Sequence, residues 1–166
     1  MNLTYAEIIR TAMTAVRDST TLQQWCMENY GKVPAIYNDL SPMESPVESD
    51  CPVVAFSPIG GENGQDEAPF SRGFMVRVAL SDDEVDEETD ETGRVIWRLY
   101  KGTERVSYLL EMLVYPALCE AFNFKNVPIS TEDEQIETSN LTLFEAKAGL
   151  VIQMEKTIGE DRPYLG

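Results

Sequence analysis

The first part of the chain repeats apolar residues at the spacing of amphipathic helices. In residues 4–17 apolar positions recur every three or four residues, and Thr4 and Glu7 form a capping-box pattern at the start. A second, shorter helix is predicted immediately afterwards. Thr20 or Thr21 can cap its start, and Gly31 suits the left-handed residue that often ends a helix. The chain is therefore expected to begin with two helices.

The strongest helical pattern lies in the second half of the chain, at about residues 103–122. Its apolar residues form one continuous stripe, and Thr103 can cap its N-terminus. Pro116 interrupts the pattern. Because proline has no backbone N–H, we expect the long helix to kink or divide there.

Between and after these helices, short stretches alternate apolar and polar residues or are rich in β-branched residues. They predict strands at residues 32–38, 52–57, 70–80, 94–100, 141–144 and 148–158. Residues 123–138 are polar and acidic, which predicts a loop with at most a short edge strand. Helices and strands that do not alternate regularly indicate an α+β fold, with a mostly antiparallel sheet and the helices packed on one face.

The length of 166 residues suits a single domain, residues 1–166. Two segments are expected to extend from its body. A long acidic loop at about residues 81–93 is predicted to form the tip of a hairpin between the strands on either side. A flexible tail is predicted at about residues 159–166, where glycine and proline follow the last strand.

Negative charge is the most unusual feature of the composition. The chain has 29 acidic and 13 basic residues, which gives a net charge of -16. Half of this excess comes from eight carboxylates within ten positions: Asp82, Asp83, Glu84, Asp86, Glu87, Glu88, Asp90 and Glu91. Because the chain is so acidic, we expect it to repel nucleic-acid phosphates rather than bind them.

The acidic segment has three interpretations. Clustered carboxylate oxygens suit a hard cation such as Ca²⁺, although the segment lacks the central glycine and the spacing of an EF-hand loop. Like charges also keep a loop solvated and extended without any further function. Finally, the eight carboxylates can present negative charge to a partner protein or to a pore that DNA crosses. The charge pattern alone leaves these interpretations open.

Groups suited to breaking bonds are scarce. The chain has no histidine, which removes the commonest general base and the commonest metal ligand. Its three cysteines are far apart and form no CxxC pair, which argues against a disulfide framework or a zinc site. No stretch reaches the roughly 18 apolar residues that predict a membrane span. We therefore expect a protein that is not an enzyme, uses no cofactor or metal, and does not contact a membrane.

The order of these elements, together with several short motifs, resembles the tail terminator (tail completion) proteins of long-tailed bacteriophages and prophages. The likeness covers most of the chain. It is carried by Leu-Gln-Gln-Trp at 22–25, the strand at 33–37, Asp-Cys-Pro-Val-Val-Ala-Phe at 50–56, the strand at 74–80 with its acidic turn, Tyr-Lys-Gly-Thr at 100–103, and the strand at 144–158 with its Thr-Ile-Gly end.

This resemblance implies a structural virion assembly protein. Such subunits form a homo-oligomeric ring, expected to be a hexamer, that caps the tail tube and joins it to the head. The implied partners are the tail tube protein and a neck or head-completion protein, and DNA passes through the central channel. The implied location is the tail and neck of the virion, after assembly in the host cytoplasm. A closed ring requires each subunit to use two different faces.

Two other functions fit the same residues. One is a different neck component, such as a head-closure or adaptor protein. The other is a monomeric acidic binding module, for instance a DNA mimic that occupies the nucleic-acid site of a host protein. Mass in solution separates a ring from a monomer, since a ring contains several copies of the chain.

Overall fold

The computed structural model of the protein describes residues 3–38, 46–62, 70–127, 129–138 and 142–154. The helices are α1 Tyr5–Asp18, α2 Thr20–Tyr30, α3 Lys101–Tyr108 and α4 Tyr115–Phe124, with a short 3₁₀ turn at Glu48–Asp50. The strands are β1 Ala35–Asn38, β2 Val53–Glu62, β3 Phe70–Ser81, β4 Val85–Thr89, β5 Val95–Tyr100, β6 Ile129–Thr138 and β7 Leu143–Met154. None of the helices in these residues is both long enough and apolar enough to cross a membrane.

Five strands form the main sheet, in the order β1-β2-β3-β7-β6. The β1–β2 pair is parallel, and the other three pairs are antiparallel. Strands β4 and β5 pair only with each other and form a separate two-stranded sheet. The predicted α+β fold with a mostly antiparallel sheet is confirmed.

The hydrophobic core lies between the helices and one face of the main sheet. Side chains at alternate positions of the central strands contact apolar side chains of α1, α2 and the long helix. The largest fully buried residues are Phe56, Phe74, Phe122, Phe144, Ile8, Leu22, Leu80, Leu109, Leu118, Leu150 and Ile152. This single layer of helices agrees with the prediction that they pack on one face.

Helix α1 begins and helix α2 ends where the sequence indicates. The Ser19 hydroxyl accepts a hydrogen bond from the Leu22 backbone N–H (3.3 Å) and caps α2, so the expectation that Thr20 or Thr21 caps it is wrong. Thr4 accepts a hydrogen bond from the Glu7 backbone N–H (3.2 Å), and the Thr4 backbone N–H donates to the Glu7 carboxylate (2.7 Å). This is the predicted capping box, which satisfies two otherwise unpaired donors. Gly31 ends α2 with a φ of 73°, in the left-handed region that glycine adopts without a steric penalty.

The long helix is confirmed, but its start differs from the prediction. It begins at Lys101, and Tyr100 occupies the cap position without a side-chain hydrogen bond, so the expectation that Thr103 caps it is wrong. The first turn is instead fixed by packing. Gly102 is buried against the ring of Phe144, and a Cβ atom at Gly102 would overlap that ring.

Pro116 does not divide the long helix, because the helical run continues without a break from Lys101 to Phe124. A π-helical segment, Leu109–Val114, joins α3 to α4, and the Tyr115 backbone N–H donates to the carbonyl of Leu110, five residues back. Pro116 follows in the first turn of α4. Because proline cannot donate to the preceding turn, a locally wider turn accommodates it and keeps the helix continuous.

Two strand predictions need correction near the C-terminus. Residues 123–138 do not form a loop, because Ile129–Thr138 is a ten-residue edge strand beside β7, with a bulge between Glu132 and Gln135. Within the described residues, the strands predicted at 141–144 and 148–158 are one strand, β7. Residue 141 and residues 155–158 lie outside the described part of the chain. An edge strand has only one neighbour and faces solvent, so its sequence can be polar and acidic without losing its pairing.

The acidic segment also differs from the predicted loop. Within residues 81–93, the strand β4 pairs antiparallel with β5, and only residues 82–84 before it and the turn after it are irregular. The strand at 70–80 pairs with β2 and β7, so it does not form the predicted hairpin with residues 94–100. The eight carboxylates therefore lie before, along and just after a strand rather than on one long loop. The predicted tail at 159–166 lies outside the described residues.

Candidate functional site

The clearest candidate for a functional surface is residues 82–100, which we call the hairpin. It comprises β4, β5 and the turn that joins them, and it leaves the main sheet at Ser81, the end of β3. It holds eight acidic and two basic residues, so its net charge is -6. Isolated two-stranded hairpins are marginally stable in water, so this one needs anchors to the core.

Asp82 provides the main anchor at the base of the hairpin. Its side chain is 4% exposed and accepts hydrogen bonds from the Tyr30 hydroxyl (2.7 Å), the Arg105 guanidinium (2.8 Å) and the Glu84 backbone N–H (3.0 Å). The first two donors come from α2 and α3. One carboxylate therefore ties the hairpin to two helices.

The charges at this anchor stabilise one another. Burial by itself raises the pKa of Asp82, but hydrogen bonds from Arg105, Tyr30 and Glu84 outweigh burial and hold it below the usual value. The hydrogen bond to Asp82 raises the pKa of Arg105. The pKa of Tyr30 is also raised, mainly by burial and then by its hydrogen bond to Asp82. Asp82 is therefore ionised at neutral pH and serves the fold rather than a partner or a channel.

The turn of the hairpin is also held in place by one carboxylate. Asp90 accepts hydrogen bonds from the Thr92 backbone N–H (2.9 Å), the Thr92 hydroxyl (2.6 Å) and the Arg94 backbone N–H (3.0 Å). Gly93 has a φ of 86°, which the turn requires. The hydrogen bonds from Thr92 and Arg94 lower the pKa of Asp90. These bonds make the turn a defined structure rather than a self-repelling loop.

Three more carboxylates of the hairpin are paired with basic side chains. Glu87 contacts Arg98 across the strands (2.6 Å), Asp86 contacts Lys101 (2.8 Å) and Glu84 contacts Arg105 (2.8 Å). Each of these pairs is partly exposed, so each adds little to stability. Their main effect is to fix the positions of the carboxylates.

The remaining three carboxylates, Asp83, Glu88 and Glu91, are exposed and form no ion pair within the described residues. Of the eight predicted site residues, only Asp82 is buried, Asp90 is half-buried and the other six are exposed. Nowhere in the described part of the chain do three histidine, cysteine, aspartate or glutamate side chains converge as metal ligands.

Beside these charges the hairpin exposes three consecutive apolar side chains. Val95 is 38% exposed, Ile96 56% and Trp97 55%. Ile96 is the extra residue of a bulge, and Trp97 lies directly opposite Glu88 on the neighbouring strand. The alternation of residues 94–100 predicted the strand. It did not indicate that both faces of the strand would lie outside the hydrophobic core.

A second unusual feature joins the long helix to the edge strand. The carboxyl group of Glu134, within the bulge of β6, shares a hydrogen bond with Glu111 of the π-helical segment. This bond, together with burial and the charge of Glu111, raises the pKa of Glu134 to about 7. Both side chains are exposed. No local sequence pattern indicates this pair, because only the fold brings the two residues together.

Comparison with known proteins adds no family to this description. No protein-family model matches the chain, and no curated protein matches it.

Proposed function

We propose that this chain is a structural subunit that assembles with copies of itself into a closed ring, as the resemblance to phage tail terminators suggests. The observation that carries the proposal is the hairpin, an anchored projection that exposes Ile96 and Trp97. Tryptophan is enriched at the centre of protein interfaces, because burying its ring removes a large apolar surface from water. An anchored aromatic surface is therefore better explained by a protein partner than by solvation alone.

The charge of the hairpin supports the second part of the proposal, that DNA passes the ring without being bound. Asp83, Glu88 and Glu91 have no cation beside them in the described residues, and each repels phosphate. In this proposal Asp83 and Glu91 lie towards the channel or its rim, while Glu88 lies opposite Trp97. The tail tube protein and a neck protein are the proposed partners at the two ends of the ring.

Images of the purified protein test the proposal directly. Negative-stain electron microscopy is expected to show rings of about six copies of the 18.7 kDa chain, each with a central opening. Mixing these particles with linear double-stranded DNA at physiological salt is expected to give no stable complex. Particles without an opening, or tight binding to bare DNA, would contradict the proposal.

A monomeric acidic binding module is the second candidate, and one observation favours it. The hydrogen bonds of Asp82 and Asp90 hold the carboxylates of the hairpin in fixed positions, as a mimic of regularly spaced phosphates requires. Such a protein would remain at 18.7 kDa and bind basic proteins. Its binding would weaken steeply with salt, as DNA binding does.

A further inference from the structure

We infer that the hairpin of one copy docks in a groove between α1 and β1 of a second copy, and that this contact builds the ring. The inference rests on the proposed function and names the two faces that it needs. The groove has a volume of about 750 Å³ and is lined by residues of α1, β1 and the middle of β2. We call it the α1–β1 groove.

Most of the described residues that line the α1–β1 groove are apolar. Tyr5, Ile9 and Met13 contribute from α1, Ile36 from β1 and Pro58 from β2. Ile9 is buried, Tyr5, Met13 and Ile36 are half-buried, and Pro58 is exposed. Several side chains fit in such a volume, which suits Trp97 together with Ile96.

The charge of the groove is opposite to that of the hairpin. Among the described residues that line it, Arg10 and Arg17 are charged and the other eight are neutral. Arg10 forms no ion pair within the described residues, and the pair of Arg17 with Asp18 is highly exposed and therefore weak. A third guanidinium, of Arg72, lies 4.8 Å from the ring centre of Tyr5. A locally basic groove is unusual in a chain of net charge -16.

The partner surface on the hairpin has the matching chemistry. Trp97 lies opposite Glu88 on the neighbouring strand. Asp86 is two positions before Glu88, so the two carboxylates lie on the same face of the hairpin as the indole ring. An apolar centre with charged neighbours is the usual composition of an interface. Opposite charges across the contact orient the two copies and speed their association.

The two surfaces lie at different places along the main sheet. The hairpin leaves at Ser81, whereas Pro58 of the groove pairs with Phe74. Ser81 lies seven positions after Phe74 along β3, which is about 23 Å at the usual rise of a strand. A projection and a groove at two different places give a heterologous contact, and such contacts form rings when the rotation between copies closes.

A mixing experiment tests this contact. One variant, Ile96→Ser with Trp97→Ser, removes the apolar centre of the hairpin but keeps the groove. The other, Arg10→Glu with Arg17→Glu, reverses the charge of the groove but keeps the hairpin. All four residues are exposed, so both variants are expected to fold and to melt cooperatively near the temperature of the unaltered protein.

Each variant alone is expected to associate at least about thirtyfold more weakly than the unaltered chain, as loss of an interface hot spot does. An equimolar mixture is expected to form a dimer of one copy of each, because only one hairpin and one groove are intact. Met112→Ser and Lys125→Glu, at exposed positions outside the contact, serve as matched controls and are expected to associate normally.

The outcomes separate this inference from the proposed function. If the unaltered protein forms rings and the two variants form them equally well, the contact is wrong and the ring stands. If both variants are monomers and their mixture stays monomeric, the hairpin and the groove do not bind each other. If the unaltered protein remains at 18.7 kDa at every concentration, the ring and the contact are both wrong.

Discussion

The main sheet and the hairpin are stabilised in different ways. Strands β2, β3 and β7 bury their apolar side chains against the helices, and Phe56, Phe74 and Leu150 have no exposed surface. The hairpin is held by hydrogen bonds and ion pairs, while its largest apolar side chain, Trp97, remains 55% exposed. Apolar burial explains why the body folds, whereas the uncovered side chains of the hairpin point to a contact outside the single chain.

The other tryptophan makes the same contrast. Trp25 of α2 is half-buried, stacks on Tyr108 at a ring-centre distance of 5.7 Å and contacts Tyr30 edge-on at 5.8 Å. Its surface is used inside the chain. Trp97 has no aromatic contact of this kind within the described residues. Trp25 therefore contributes to packing within the chain, whereas Trp97 is available for a contact at the surface.

The largest effect is expected in the core of the body. Leu113→Asp places an unpaired charge at a position that is 6% exposed, and it should lower the free energy of unfolding by about 4–5 kcal/mol. Its neighbour Met112 is 58% exposed, so Met112→Asp should change stability by less than about 0.5 kcal/mol. Urea unfolding followed by circular dichroism measures both. Equal effects at the two positions would show that the buried face of the long helix is misassigned.

The next effect is expected at the anchor of the hairpin. Asp82→Asn removes the charge that Arg105 and Tyr30 contact, and because Arg105 is partly exposed we expect a loss of about 2–3 kcal/mol. Asp83→Asn changes an exposed carboxylate beside it and should stay within about 0.5 kcal/mol. Hydrogen exchange of the hairpin amides should accelerate only in Asp82→Asn. Unchanged exchange there would mean that Asp82 does not anchor the hairpin.

A smaller loss is expected where the long helix approaches β7. Gly102→Ala improves helix propensity but forces its new methyl group into the ring of Phe144, for a net cost of about 1–2 kcal/mol. Thermal unfolding of Gly102→Ala, Phe144→Leu and the double variant forms a cycle that isolates the overlap. The double variant should be more stable than the two separate losses predict. If the stability losses of the two single variants simply add in the double variant, Gly102 and Phe144 are not in contact.

The smallest effect concerns the glutamate pair and depends on pH. Because the pKa of Glu134 is raised to about 7 in the folded protein from its ordinary value of 4.5, the folded state holds this proton more tightly. The resulting stability is fully present below about pH 4.5 and is lost as the pH rises through about 7. Glu134→Gln should therefore flatten the dependence of the melting temperature on pH between those values. A profile parallel to that of the unaltered protein would exclude the pair as its cause.

Much of the fold could be predicted from the sequence, because local chemistry defines many of its elements. The capping box of Thr4 and Glu7, the glycine at 31 and the long apolar stripe each act within a few residues. The strands β4 and β6 could not be predicted, since their polar sequences resemble loops. Their pairing depends on β5 and β7, which supply hydrogen-bond partners from elsewhere in the chain.

The candidate site was predicted only in part. Charge density identified the acidic segment, but Asp82 belongs to the fold because its partners Tyr30 and Arg105 lie 52 and 23 residues away in the sequence. The exposure of Trp97 follows from the separation of the hairpin from the main sheet, which no local pattern indicates. The α1–β1 groove likewise collects residues from three distant elements.

Sedimentation velocity of the unaltered protein over a wide range of concentration tests the central claim most directly. The account predicts a shift from an 18.7 kDa species to a closed assembly of about six copies. A single 18.7 kDa species at every concentration would contradict it.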